Sequence, residues 1–238
     1  MIEGINLGAG AGWSHRGWAG LDKMKKREEF LNAETALPYT DKSVLHVFSA
    51  HFFEHVDDAT ASNLFKESYR VLAPGGYIRA IVPDIDKLIH RYREGKEMFG
   101  VTAPGRNWAN YGIVPTTLNI LLHFLSNFDY KGENGFYRGP PLTLAKDHKL
   151  VQDKLESLSN SEFCEWVLSH IPLQDERVTS QHINWWNEKK LKQFLIEAGF
   201  TDVERSTYQG SQSEAMKGSK FDQERRQSQS LYVEARKL

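Results

Sequence analysis

The stretch Ile5-Asn6-Leu7-Gly8-Ala9-Gly10-Ala11-Gly12 constrains the fold of this chain more than any other. A short apolar run, Gly4 to Leu7, stops at glycines in alternate positions. It reads as a buried strand followed by a turn in which the backbone bends sharply and lies open to close approach by a ligand. A second run, Trp18 to Leu21 ending at Asp22, follows after only ten residues, 8–17. That is too few for a full crossover helix between parallel strands. The turn also departs from the dinucleotide fingerprint. A third glycine would fall at 13, which is Trp13, and Asp22 comes sooner than the roughly 20-residue spacing of that motif.

Strands and connections continue to alternate as far as residue 83. Glu29 to Leu31 is a weak third strand, Val44 to Ala50 a stronger fourth, and Tyr77 to Val82 a fifth. Asp57 or Asp58 can cap a helix on which Leu64, Ser68, Val71 and Leu72 keep helical spacing. That helix is expected to end in a turn at Pro74-Gly75-Gly76. From Asp84 to Gln181 the pattern breaks down. Only Leu118–Phe128 and Val151–His170 look helical, and 85–181 reads as a helical insertion, a lid or substrate-recognition region, within one domain spanning 1–238. An amphipathic helix, Glu188 to Ala198, closes at Gly199. Strands at Phe200–Ser206 and Ser230–Ala235 then flank a polar, Gln/Ser-rich hairpin loop, Tyr208–Ser228. Strands joined by crossovers imply an α/β fold with a mostly parallel sheet covered on both faces.

Composition removes several function classes. Lys+Arg total 30 against 31 Asp+Glu, a net charge of -1, so the basic footprint of a dedicated nucleic-acid binder is missing. Cys164 is the single cysteine, which rules out an internal disulfide and a cysteine zinc site. The most apolar run, Leu118 to Leu125, is broken by Asn119 and His123 and is too short for a membrane span. The first residues carry no basic, apolar leader. The expectation is a soluble cytoplasmic protein, with no nucleic-acid partner and no membrane insertion. Its oligomeric state is not legible.

Asp22, ending the second strand, is placed to accept two hydrogen bonds from a ribose diol; the alternative is a solvated turn carboxylate beside Lys23. His51-Phe52-Phe53-Glu54-His55 has the spacing of an inverted zinc-protease signature, but that motif must lie on a helix. Here it leaves a strand and precedes the Asp57/Asp58 cap, so a zinc protease is the wrong context.

Taken in order, five segments resemble the successive motifs of class I S-adenosylmethionine-dependent methyltransferases, in particular the type 11 group. They are Leu7-Gly8-Ala9-Gly10, Gly17-Trp18-Ala19-Gly20-Leu21-Asp22, Ala36-Leu37-Pro38-Tyr39, Ser49-Ala50-His51-Phe52-Phe53-Glu54-His55 and Arg70-Val71-Leu72-Ala73-Pro74-Gly75-Gly76. Leu195 to Val203 and Ser230 to Ala235 resemble the last helix and two strands of that family. The likeness covers 1–84 and 182–238. It implies a Rossmann-like seven-stranded sheet with the final strand antiparallel, and S-adenosyl-L-methionine as cofactor. Carried over by position, Gly8, Ala9 and Gly10 face the methionine part of the cofactor and Asp22 holds the ribose. Asn32 and Ala33 then meet the adenine edge, and Ser49 and His51 lie beside the sulfonium. Asn32 stands where the family usually has Asp; its carbonyl oxygen can still meet the adenine amino group. No helix precedes the first strand, so the insertion is expected to take over the cap that such helices form in many relatives.

The resemblance implies methyl transfer to a small polar acceptor, with a sugar or sugar nucleotide as the first guess; the available histidines favour an oxygen over a nitrogen. A hydroxyl acceptor benefits from a base near neutral pH, for which histidine is suited. His51 is the best-placed candidate and His182 the second, with Trp185 and Trp186 as pocket-lining neighbours. His123, His148 and His170 read as structural or solvated. The insertion's aromatics, Trp108, Tyr111, Phe136, Tyr137 and Trp166, either stack on substrate or form the insertion's own core. No resident metal is expected, although a cluster of His51, Glu54 and His55 is the place for one. The rival readings are a non-catalytic cofactor-binding module and a nicotinamide-dependent oxidoreductase.

Overall fold

The computed structural model describes residues 2–24, 31–33, 35–96, 108–171 and 181–238. In chain order its elements are β1 (Ile2–Leu7), β2 (Trp18–Leu21), β3 (Val44–Ala50), α1 (Asp58–Val71), β4 (Leu72–Pro83), α2 (Ile85–Arg93), α3 (Thr117–Ser126), β5 (Phe128–Gly132), β6 (Gly135–Gly139), α4 (Leu142–Lys146), α5 (His148–Ser157), α6 (Asn160–Leu168), α7 (Glu188–Glu197), β7 (Thr201–Ser206) and β8 (Ser230–Arg236). They form two compact units, one of residues 1–82 with 186–238 and one of 83–185.

The first unit holds a six-stranded sheet ordered β2-β1-β3-β4-β8-β7. β1 is parallel to β2 and β3, and β3 to β4, whereas β7 and β8 are antiparallel. Gly75 N donates to Lys237 O (2.7 Å) and Lys237 N to Gly76 O (3.0 Å). These bonds join the start of β4 to the end of β8, so the final strand runs against both neighbours, as the resemblance implies. The expected seven strands become six among the described residues. Of the third strand expected at Glu29–Leu31, residues 29 and 30 lie outside the described residues. Leu31 is described, is not in a strand, and donates its N–H to Asp22 O (3.2 Å).

β4 begins at Leu72, directly after α1, and runs through Pro74-Gly75-Gly76 where a turn is expected. Its register with β3 shifts between Val44 and His46, and this irregularity absorbs the three residues without ending the strand.

The two sheet faces follow the period of two that strands impose. Ile5, Leu7, Val47, Ile78, Leu231 and Val233 share a core with Leu64 and Phe65 of α1 and Leu191 and Leu195 of α7. Asp57 caps α1 by accepting from Thr60 N (2.8 Å), and Asn187 caps α7 by accepting from Lys190 N (2.9 Å). On the other face Trp18, Phe48, Ile81 and Tyr232 pack with Met216 and Phe221 from the β7–β8 connection. The short first crossover supplies no helix to this face, and that connection covers it instead. It is pinned there by Arg79, which is fully buried. Arg79 donates to Asp222 Oδ2 (2.8 Å), Glu234 Oε1 (2.9 Å), Ser206 Oγ (2.9 Å) and Thr207 O (2.8 Å). Asp222 and Glu234 also accept the backbone N–H groups of Gln209 and Gln212. The segment read as a polar hairpin loop is thus an anchored cover.

The second unit packs Leu88, Ile89, Leu121, Leu122, Val151, Leu155, Phe163 and Val167 from α2, α3, α5 and α6 into one cluster. Its helices include the two stretches expected from sequence. The second stretch is divided at Ser159, whose side chain and Glu162 form a capping box that starts α6. The β5–β6 hairpin was not expected; its strands are joined by the two-residue loop Glu133-Asn134. No helix among the described residues is long and apolar enough to cross a membrane.

Candidate functional site

Register brings three strand ends level. Leu7 of β1 pairs with Leu21 of β2 on one side and Ser49 of β3 on the other. The chain leaves β1 for β2 in one direction and reaches β3 in the other, so the strand order reverses here. In open α/β sheets the crevice beyond such carboxyl ends is where ligands bind. Gly8 to Gly12, Asp22 and His51 all follow directly from these ends.

The turn after β1 is held by the neighbouring strand. Gly8 N (2.9 Å) and Ala9 N (3.1 Å) both donate to Leu21 O, and Gly10 N donates to Asp22 Oδ2 (2.8 Å). Asp22 Oδ1 accepts from Met24 N (2.8 Å). Gly8 (φ 70) and Gly10 (φ 72) are left-handed, which explains the glycines at both places. A side chain added at Gly8 would collide with the Phe52 ring, whereas one at Gly10 or Gly12 would meet open space. The backbone there is bare to a ligand. Asp22 has about four acceptor positions and uses two, which leaves acceptors for a vicinal diol. Turn and carboxylate together fit a nucleoside ligand.

The chain leaves β3 through a strained residue. His51 has φ 53, uncommon for anything but glycine, and its N–H is fixed to Ile81 O (2.8 Å). Its ring sits between two side chains. Nδ1 is 3.2 Å from Glu54 Oε1 and Nε2 is 2.8 Å from Ser230 Oγ. Glu54 is buried. Burial pushes the His51 pKa below its ordinary value; the Glu54 carboxylate opposes this and the charges of Arg226 and His55 add to it.

Other expected site residues lie as follows. Ser49 is fully buried and donates to Leu7 O (3.1 Å), so it ties β3 to β1 and its hydroxyl is used within the sheet. Asn32 is exposed, with its carbonyl accepting from Thr35 N (3.2 Å). Ala33 packs against the core beside it. His182, in the second unit, places Nδ1 2.9 Å from Phe124 O. Trp186 does not line a pocket. It is fully buried among Phe53, Phe65 and Phe194, where ring-to-ring packing stabilises it. Trp185 Nε1 donates to Glu165 Oε1 (2.5 Å).

Several aromatics of 83–185 belong to that unit's own packing. Trp108 Nε1 donates to Arg138 O (2.7 Å), Tyr137 OH to Pro140 O (2.6 Å) and Tyr111 OH to Gly135 O (2.6 Å). Trp108 and Tyr137 are buried. His170 Nδ1 lies 2.8 Å from Trp166 O, and His123 stands edge-on to Trp108. Sequence reasoning missed Phe52, Ser230 and Arg226. Phe52 is adjacent to a motif residue and Gly8 marks its place, but nothing in the sequence connects the last two to His51.

Residues 16–80 match the methyltransferase domain family of type 11. Over that span the chain is similar to that methyltransferase family. The matched span runs from the turn before β2 into β4 and includes Asp22, Asn32, Ala33, Ser49 and His51. Comparison with curated proteins finds no match. Solved structures similar to this chain include three of note. A SAM-dependent methyltransferase from Methanosarcina mazei shows 14% identity and a TM-score of 0.46, over 99% of this chain and 92% of that one. A SAM-dependent methyltransferase from Thermotoga maritima, described as a possible histamine N-methyltransferase, shows 14% identity and a TM-score of 0.43, over 99% and 82%. Phosphoethanolamine N-methyltransferase 2 from Haemonchus contortus, in complex with S-adenosyl-L-methionine, shows 13% identity and a TM-score of 0.39, over 99% and 48%.

Proposed function

We propose that this methyltransferase uses S-adenosyl-L-methionine and methylates a hydroxyl oxygen of a small polar acceptor, with a sugar or sugar nucleotide as the first class to test. The observation that carries the reading is the glycine turn locked to the Asp22 carboxylate at the reversal of strand order. S-adenosyl-L-methionine, when bound, supplies an electrophilic methyl on its sulfonium. The backbone of Gly8, Ala9 and Gly10 takes the methionine part, Asp22 the ribose hydroxyls, and Asn32 and Ala33 the adenine edge. Ser49 shapes the floor through the β1–β3 tie, with His51 beside it.

The protein's main task is alignment of the acceptor oxygen, an effect worth about 7–11 kcal/mol where geometry is ideal. His51 takes up the proton that the hydroxyl releases, and its depressed pKa keeps the ring neutral and able to do so. His182 is the second candidate for that role. We assign acceptor choice to the segment 83–185.

Calorimetric titration with S-adenosylhomocysteine, with NADH as control, tests the cofactor reading. Micromolar binding of the first and none of the second is expected. Binding of NADH alone would overturn the reading in favour of an oxidoreductase. A methyl-transfer screen by mass spectrometry, starting with sugar nucleotides, then tests the acceptor. Methylation confined to amines would overturn the oxygen assignment.

A further inference from the structure

The surroundings of His51 pose a question of proton count. Ser230, the first residue of β8, is buried. Its Oγ lies 2.8 Å from His51 Nε2 and 2.7 Å from Arg226 O. The carbonyl can only accept. The Tyr232 hydroxyl also hydrogen-bonds Ser230 and can donate to its Oγ in either case. A serine hydroxyl has one hydrogen, so it donates to the ring or to the carbonyl and not to both. On the other side of the ring, an ionised Glu54 can only accept, so Nδ1 must carry a hydrogen.

Two arrangements satisfy these rules. In one, His51 is neutral with its hydrogen on Nδ1, and Ser230 donates to the bare Nε2. In the other, His51 is protonated on both nitrogens, Nε2 donates to Ser230, and the serine hydrogen turns to Arg226 O. Between them one proton, given up by the acceptor hydroxyl, is gained at Nε2, and the serine hydroxyl turns to the carbonyl, which frees the Nε2 lone pair to receive it. No ring bond is lost, and the strained backbone at His51 need not move.

We infer that Ser230 is a positioning residue for His51, its hydroxyl turning between the ring and the Arg226 carbonyl so that the ring is fully hydrogen-bonded in both its neutral and its protonated form. The inference rests on the reading of His51 as the proton acceptor. The charged groups that face the ring are Glu54 and His55 from its own loop and Arg226 from the β7–β8 connection. Glu54 favours the protonated form; His55 and Arg226 oppose it. Ser230 is neutral, so its effect is on hydrogen bonding and not on the sum of charges. A buried donor or acceptor left without a partner is costly, more so when charged. This arrangement avoids that cost on both sides of the proton transfer.

The test begins with the unmodified protein. Nitrogen-15 NMR of its histidine rings, with His51→Gln used to assign the signal, should show neutral His51 as the Nδ1–H tautomer. The Nε2–H tautomer would overturn the inference. The second arm is Ser230→Ala, compared with Ser230→Thr, which keeps the hydroxyl. Alanine leaves the protonated ring short of an acceptor, so the His51 titration should move down by about one pH unit. The acid limb of the kcat profile should follow it, and the plateau should fall about tenfold, a part of what a positioned base contributes. Threonine should restore both, and S-adenosylhomocysteine affinity should be unchanged in either variant. An unmoved titration in folded Ser230→Ala would refute the positioning role. Full activity of His51→Gln would instead refute His51 as the base, while the tautomer and titration of the ring still decide the role of Ser230.

Discussion

Asp22 is the residue whose removal separates two roles most cleanly. Its carboxylate accepts from Gly10 N and from Met24 N, both at 2.8 Å, before any ligand is considered. Hydrogen bonds to a charged group contribute about 1.5–3 kcal/mol each, and the half-buried setting places these near the lower end. Asp22→Ala should therefore destabilise the ligand-free protein by about 2–3 kcal/mol. For a chain of this size that is a fall in Tm of roughly 4–12 °C. Asp22→Asn should fall between, because its one oxygen can serve only one of the two N–H groups. Separately, loss of the acceptors for a diol should weaken S-adenosylhomocysteine binding by about 1–3 kcal/mol, roughly five- to hundredfold. Differential scanning calorimetry of the ligand-free variants and titration with the ligand read the two effects independently. An Ala variant that melts with the wild type would refute the claim that the carboxylate organises the turn. Normal affinity in a destabilised variant would show that it serves only the turn and would remove it from the ribose site.

Three further outcomes follow from packing and charge. Arg79→Met strands Asp222 and Glu234 in the interior and should cost about 3–5 kcal/mol by urea denaturation; a loss below 1 kcal/mol would mean that the buried triad does not anchor the β7–β8 connection. Gly8→Ala combines a left-handed position, worth about 1–2 kcal/mol, with a collision against Phe52, so Phe52→Ala should recover only part of the loss in a double-mutant cycle. His123 is held down to a pKa of about 4 from 6.5, first by burial and then by Arg138, with Asp129 opposing. The unfolded chain thus takes up this proton first as pH falls. The stability the ring contributes is complete above about 6.5 and is lost on the way down to about 4, amounting to about 3 kcal/mol. Urea midpoints of wild type and His123→Gln should converge or cross over that window, and parallel curves would refute a neutral buried ring.

The parts of the fold legible in the sequence are those governed by local pattern. The Gly8–Gly10 turn, β3 with its run of β-formers, the cap of α1 and the Gly199 end of α7 depend on residues within a few positions of one another. Asp22 was legible because it ends a strand beside a glycine turn. Ser49 was legible as a residue near the end of β3, but only the register of β3 against β1 shows that its hydroxyl donates to Leu7 O. Trp186 was misread for a similar reason. A tryptophan ahead of an amphipathic helix has the same local signature whether it lines a pocket or fills a core, and the choice depends on Phe53 and Phe65, more than 120 residues away. The strand through Pro74-Gly75-Gly76 broke a local rule because pairing with Lys237 outweighed turn propensity.

Least legible was the segment 207–229, and its role follows from the opening constraint. With a ten-residue first crossover, no helix among the described residues covers the sheet face that carries Trp18, Phe48 and Ile81, which cannot stay in water without cost. The polar connection supplies Met216 and Phe221 to cover them, and Arg79 with Asp222 and Glu234 fixes its position. The same connection carries Arg226 near its end and hands the chain to Ser230, the two groups that complete the hydrogen bonds around His51. The shortened crossover and the setting of the proposed base are therefore linked through one segment. If Arg79→Met loosens that segment as argued, the titration of His51 should change with it, although Arg79 donates no hydrogen bond to the ring. An unchanged His51 titration in a folded but destabilised Arg79→Met protein would show that β8 alone holds Ser230 in place and that the cover has no part in the site.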